Sequence, residues 1–275
     1  MMKTSVIIAD GTFPCATAPL QGPYEETIRM AAQIGYDAVQ LTLNRPSEVD
    51  PSRILNLAAH YGVKVSALAT GRGYTVDGLS LGCGEEEGRK RAVERMKAHV
   101  DLAKKLGGAR VIIGAIRGWT KDAPSRAEYF DSFHRSIREL TDYAESRGIV
   151  LILEANDHLE TDAYIRIRET ANYIRSVNSP SLKLQLDTMH MLYEGEEIYH
   201  QILECKDLIY QVDISGEERG CPDGNRFDYP LLIQALKEIG YERYLAFEYR
   251  PEPPKKAAET GYEYIRSLIG APQFI

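Results

Sequence analysis

The stretch Arg147-Gly148-Ile149-Val150-Leu151-Ile152-Leu153-Glu154 decides the fold. Its Gly closes the amphipathic segment before it, because Gly accepts the left-handed backbone that ends helices without a Cβ clash. The run after it is short and apolar, as expected of a strand covered on both faces, and it ends in a carboxylate. The same helix–Gly–strand unit occurs at Ile34-Gly35-Tyr36-Asp37-Ala38-Val39-Gln40-Leu41, at Tyr61-Gly62-Val63-Lys64-Val65-Ser66-Ala67-Leu68 and at Leu106-Gly107-Gly108-Ala109-Arg110-Val111-Ile112-Ile113. It returns at Ile239-Gly240-Tyr241-Glu242-Arg243-Tyr244-Leu245-Ala246-Phe247-Glu248. The segments before the glycines have helical spacing: Val93, Met96, Val100 and Ala103 share one face, and Phe130, Phe133, Ile137, Leu140 and Ala144 another.

Strands are expected near Thr4–Ile8, Ala38–Leu43, Val63–Ala69, Val111–Ile116, Ile149–Glu154, Leu182–Asp187, Ile209–Ile214 and Tyr244–Glu248. Alternating β and α elements argue for a parallel sheet. Eight units in 275 residues match a (β/α)8 TIM barrel, which takes about 250 residues. The competing doubly wound sheet usually carries G-x-G-x-x-G after its first strand, and none follows Ile8. No low-complexity linker divides the chain, so residues 1–275 read as a single domain.

The net charge of −7 and pI near 5.5 disfavour non-specific binding to nucleic acid. No run approaches the ~20 apolar residues that span a bilayer, and the N-terminal apolar run is too short for a signal peptide. Cys15, Cys83, Cys205 and Cys221 are scattered without a C-x-x-C pair, and they read as free thiols in a reducing cytoplasm.

The chemical signal is positional. Glu154, Asp187, Asp213 and Glu248 end four successive strands, about one βα unit apart. In a barrel those ends converge on one mouth, where active sites sit. Acids gathered there need a cation or raised pKa values. The plainer reading is that each acid ends a strand and caps the next helix. His190 follows Asp187 closely and could hydrogen-bond a substrate hydroxyl or a neighbouring acid; His158 is a weaker candidate. Arg219 either reaches the mouth or is a solvated loop residue. The Gly-rich Thr70–Leu81 loop reads as pocket wall, lid or plain turns. Arg117 and Trp119 follow strand 4, the Trp either facing a sugar or packing.

These features resemble the xylose-isomerase-like barrel superfamily, sugar isomerase/epimerase branch, over nearly the whole chain. The likeness rests on Ile34-Gly35-Tyr36-Asp37-x-Val39, the Leu153-Glu154 strand end, Asp187-Thr188-x-His190, the block ending at Arg219, and Glu248. The chain is most similar to keto-sugar and keto-uronate 3-epimerases through Arg45-Pro46-Ser47-x-Val49-Asp50, the Thr70–Leu81 loop, Val111-Ile112-Ile113-Gly114-x-Ile116-Arg117-Gly118 and Phe227-Asp228-Tyr229. The resemblance implies a divalent ion, most often Mn2+ with Mg2+ or Co2+ as alternatives, held by Glu154, Asp187, Asp213 and Glu248. Asp213 stands where the family usually has His, and Gln211 replaces another frequent His. Four carboxylates leave excess negative charge unless one keeps a proton or a cation such as Arg219 compensates. An all-oxygen set shifts preference from zinc towards manganese, magnesium or calcium.

The implied chemistry is proton transfer beside a ketone through an enediolate, with Glu154 and Glu248 on opposite faces of the sugar. His190 and Arg219 would hold hydroxyls or the enediolate oxygen, and Arg72 and Arg117 a carboxylate or phosphate at the far end. Three alternatives use the same barrel: an aldose–ketose isomerase, a keto-inositol-type dehydratase, and an accessory sugar-binding barrel with a degenerate metal site. An abasic-site endonuclease, which needs a His-rich metal cluster and a basic surface, is disfavoured by this acidic chain. Partners are expected to be a small sugar or sugar acid and further copies of the chain, as a homodimer or homotetramer.

Overall fold

The computed structural model describes residues 1–13 and 15–270. Its strands are β1 (Lys3–Ala9), β2 (Leu20–Gln21), β3 (Ala38–Thr42), β4 (Lys64–Ala69), β5 (Arg110–Ile113), β6 (Leu151–Glu154), β7 (Leu182–Asp187), β8 (Ile209–Ile214) and β9 (Tyr244–Phe247). They form one sheet in the order β2-β1-β3-β4-β5-β6-β7-β8-β9, and β1 also pairs with β9. That second pairing is parallel, with Lys3 opposite Tyr244 and Val6 opposite Phe247, and it closes the (β/α)8 barrel. The two-residue β2, which sequence pattern did not indicate, pairs in parallel with β1 at Ile8 and Ala9, beyond the residues that pair with β9.

The opening stretch behaves as its residues dictate. Gly148 takes φ 68 at the end of the helix Arg126–Arg147, and its N–H returns to the Ala144 and Glu145 carbonyls. Every residue of β6 is buried, so its apolar side chains each contribute about 1.5–3 kcal/mol. Val93, Met96, Val100 and Ala103 are all buried on the helix Glu86–Lys105. On the helix Arg126–Arg147 Phe133, Ile137, Leu140 and Ala144 are fully buried as expected, but Tyr129 is fully buried at the start of that face while Phe130 is only half-buried. The Tyr129 hydroxyl donates to the Arg117 carbonyl at 2.9 Å, which lets a polar tip go inside.

Two further expectations are corrected. The fourth strand stops at Ile113 rather than running to Ile116, because a 3-10 turn over Ala115–Arg117 follows Gly114. The 70–81 segment contains the short helix Arg72–Thr75. Among the described residues Cys15, Cys83, Cys205 and Cys221 form no disulfide. Among the described residues no helix is long and apolar enough to cross a membrane.

Contacts gather the chain into two compact units. One comprises Met1–Thr42, Asn56–Ser66 and the chain from Gln185 onward; the other comprises Leu43–Leu55 and Ala67–Leu184. In the first, several inward strand positions are polar: Ser5, Gln40, Ser66, Gln185 and Gln211 are buried. Two pairs among them are hydrogen-bonded, the Ser5 and Ser66 hydroxyls at 2.6 Å and Gln211 Nε2 donating to Gln40 Oε1 at 2.7 Å.

Candidate active site

Within the first unit, Asp187 ends β7 and caps the helix Thr188–Tyr193. Its Oδ1 accepts the N–H of Met189 at 2.8 Å and of His190 at 3.3 Å. Its Oδ2 accepts a hydrogen bond from Arg219 Nη1. The same nitrogen reaches Ser215 Oγ at 3.2 Å and lies 3.6 Å from Glu248 Oε2. Arg219 Nη2 lies 3.2 Å from His190 Nε2. One guanidinium therefore spans Asp187, His190 and Glu248, and Arg219 is buried rather than a solvated loop residue.

The chain brings Arg219 there through a strained turn. Glu218 and Arg219 take φ 53 and φ 59 in succession, a conformation costing about 1–2 kcal/mol for each L-residue. The turn is held by Gly216 N–H to Gly220 O at 2.7 Å and by Glu218 N–H to the Tyr193 hydroxyl at 3.0 Å. The Arg219 carbonyl also accepts the Arg250 N–H at 2.8 Å. Strain over-determined in this way marks functional positions. Burial opposes the charge on the fully buried Asp187, but Arg219, then His190, outweigh it and hold the carboxyl below the usual range.

Asp213, in β8, is fully buried and compensated differently. Its Oδ2 accepts from Gln185 Nε2 at 3.0 Å and its Oδ1 from Gln211 Nε2 at 2.7 Å. Gln211 also reaches Gln40 Oε1 at 2.7 Å. Each Gln lies two residues before an acid on its own strand, so the pairs share a face. Glu248 follows β9 with its side chain 20% exposed, and its Oε1 accepts from Thr17 Oγ1 at 2.9 Å. Asp187, Asp213 and Glu248 each offer a carboxylate oxygen, and these atoms lie within 4.8 Å of one another. Such a set suits a hard divalent cation, which takes several oxygen ligands at about 2.0–2.6 Å.

The second unit carries Glu154 at the end of β6, 7% exposed. Its carboxylate lies against the Gly114 backbone: a Cβ at Gly114 would stand 2.6 Å from Glu154 Oε2. Arg117 corrects an expectation. It is fully buried, and its donors go to the protein itself. Nε donates to Gly114 O at 3.1 Å, and Nη1 to Ala163 O and Tyr164 O at 3.2 Å each. Nη2 donates to Ile113 O at 2.9 Å, to Asn156 Oδ1 at 3.2 Å and to the Glu154 carbonyl. It has no donor left for a substrate anion. Arg72 opens its short helix half-buried; Trp119 is half-buried with Lys121 Nζ 5.2 Å from its ring centre; His158 is exposed.

A family model for the xylose isomerase-like TIM barrel matches residues 28–268. The chain belongs to that family. Among its relatives, the L-ribulose 3-epimerase of Mesorhizobium japonicum is 26% identical over 86% of this chain and 79% of its own length. The ketose 3-epimerase of Arthrobacter globiformis is 25% identical over 81% of this chain and 76% of its own. Among solved structures, D-psicose 3-epimerase with D-tagatose from Clostridium cellulolyticum H10 superposes with a TM-score of 0.84 at 16% identity, covering 98% of this chain and 100% of that one. This xylose isomerase-like barrel is an enzyme of the epimerase and isomerase class.

Sequence reasoning missed Gln185, Gln40, Thr17 and Asn156 as parts of the site. A polar residue at an inward position of an apolar strand was the available signal for the two glutamines.

Proposed function

We propose that this barrel is a divalent-metal-dependent epimerase of a ketose or keto-sugar acid, acting at the carbon beside the ketone within a single domain. The observation that carries the reading is the joint placement of acids at successive strand ends with Arg219 among them. Carboxylate oxygens of Asp187, Asp213 and Glu248 lie within 4.8 Å of one another, and Glu154 ends a strand in the same way, which supports these four as the holders of Mn2+, with Mg2+ or Co2+ as substitutes. When bound, such an ion supplies Lewis-acid stabilisation of the charge that develops on the substrate carbonyl oxygen.

The remaining steps belong to side chains. In this reading Glu154 and Glu248 act from opposite faces of the substrate carbon. One removes the proton, giving an enediolate; the other returns a proton from the far side and inverts the centre. In this reading Arg219 and His190 bind the substrate oxygens. Arg219 also offsets the acids, so the pocket can hold a carboxylate base in its charged form. The relatives' names, and the sugar present in one solved structure, suggest starting with L-ribulose, D-psicose and D-tagatose. Incubation of each with Mn2+-reconstituted enzyme, followed by chromatographic resolution of the sugars, should give the C3 epimer. Conversion to an aldose would support an isomerase, and loss of water a dehydratase.

The amide clamp on Asp213 favours one competing reading, an accessory sugar-binding barrel with a degenerate site. Elemental analysis separates the two. Protein without a bound divalent ion and without response to added Mn2+ supports the accessory reading.

A further inference from the structure

Arg117 is among the largest fully buried side chains of the chain. Burying a guanidinium is costly unless its donors are met. Here they are met by five backbone carbonyls and one side-chain amide oxygen, with no direct carboxylate partner. Burial pushes its pKa down, and the charge of Glu154 leads the influences that oppose this.

The acceptors fall in a meaningful pattern. Ile113 and Gly114 end β5, and Glu154 ends β6. Asn156, Ala163 and Tyr164 belong to the loop after β6. A single planar fork therefore binds the backbone from which the Glu154 side chain springs and the backbone over which its carboxylate lies. Arginine's donors sit in a fixed plane, so the separation of Gly114 and Glu154 is set by one rigid group. The open face of Gly114 then leaves room for the carboxylate, whose Oε2 would lie 2.6 Å from any Cβ there.

We propose that Arg117 is a positioning residue for Glu154, holding that carboxylate in the place its ligand and proton-transfer roles require. This rests on the reading of Glu154 given above. A merely structural Arg117 would tie down strand ends and affect stability alone.

The test is Arg117→Lys in the full chain, which keeps the charge and loses the fork. Three quantities are read: melting temperature, Mn2+ affinity by calorimetry, and kcat and KM for ketose epimerisation. Loss of a group that orients a metal ligand typically lowers affinity or activity by about 10–100-fold. We expect Mn2+ affinity and kcat of the folded variant to fall in that range while KM stays within about threefold, the signature of an interaction made in the transition state. In a Glu154→Gln background, Arg117→Lys should lower Mn2+ affinity by no more than about twofold, since coupled residues are non-additive. A folded Arg117→Lys variant with a lowered melting temperature but kcat and Mn2+ affinity within about twofold of wild type overturns the proposal. Should that variant fail to fold, Asn156→Ala removes one acceptor of Nη2 and decides the matter. A kcat loss of about fivefold or more at constant KM supports positioning, and an unchanged kcat overturns it. If wild-type protein neither binds Mn2+ nor epimerises a ketose, the reading of Glu154 fails instead, whatever the variants do.

Discussion

Gln211 Nε2 donates to Asp213 Oδ1 at 2.7 Å, while Gln185 occupies the other oxygen of the same carboxylate at 3.0 Å. Two neutral amides thus stabilise a fully buried acid at the position where the family this chain resembles usually carries His. The clamp is consistent with an ionised Asp213, because both oxygens act as acceptors. The donor set around it is then all oxygen.

That set makes metal preference a direct readout. Imidazole suits zinc and cobalt better than carboxylate does, whereas oxygen donors suit manganese and magnesium. Asp213→His should raise Zn2+ affinity relative to Mn2+ by about tenfold or more, measured by competition calorimetry. An unchanged Zn2+/Mn2+ ratio would place Asp213 outside the coordination sphere.

Arg219 and Asp187 form a pair with side-chain exposures of 11% and 0%. Removing one partner of a buried pair typically costs about 3–5 kcal/mol, because the other is left charged and dry. Arg219→Met should lose stability of that order in urea unfolding and also lower kcat/KM. Adding Asp187→Asn should restore part of the stability and none of the activity. A double variant no more stable than the single would show that the two side chains are not energetically coupled.

His99, on the helix Glu86–Lys105, offers a pH test. Burial pushes its imidazole from 6.5 down to about 4, and its Nδ1 lies 2.8 Å from the Arg95 carbonyl. The unfolded chain therefore takes up this proton at a higher pH than the folded one. The stability of keeping His99 neutral is complete above pH ~6.5 and is lost as pH falls towards ~4, on the order of 3 kcal/mol in all. His99→Gln should flatten the fall of melting temperature across that window relative to wild type. Parallel curves would contradict a buried neutral imidazole.

Gly114→Ala places a methyl 2.6 Å from Glu154 Oε2. The obstructed atom is the tip of a side chain that can move, so the fold should survive. The carboxylate would be displaced, and kcat should drop by about 10–100-fold. Wild-type turnover in a folded Gly114→Ala protein would mean that Glu154 does not need this position.

Much of this was legible in the chain itself. Glycine-terminated helices followed by short apolar runs located five of the eight expected strands, because Gly148 and its counterparts are where a helix must stop and the chain must turn inward. The acids were legible because a carboxylate at the end of a buried strand is conspicuous. Arg117 was misread. Sequence shows a cation after a strand, but not that the 3-10 turn over Ala115–Arg117 aims it back at strand-end carbonyls. Arg219 was left open for a similar reason, since its approach depends on left-handed φ values at Glu218 and Arg219 that side-chain identity does not encode. Phe130 and Tyr129 exchanged places because helical periodicity fixes a face only to within a residue, and a hydroxyl with a partner tolerates burial.

The central claim is that this site makes the C–H bond beside a ketone exchangeable under the control of a divalent ion. Its most direct test is incubation of L-ribulose, D-psicose and D-tagatose with chelator-treated and Mn2+-reconstituted enzyme in heavy water, with deuterium located by NMR. The account predicts one deuterium at C3 of the epimer, only with the metal restored, and none with Glu154→Gln or Glu248→Gln. Epimer formed without deuterium gain, or no exchange at any carbon with metal present, would contradict it.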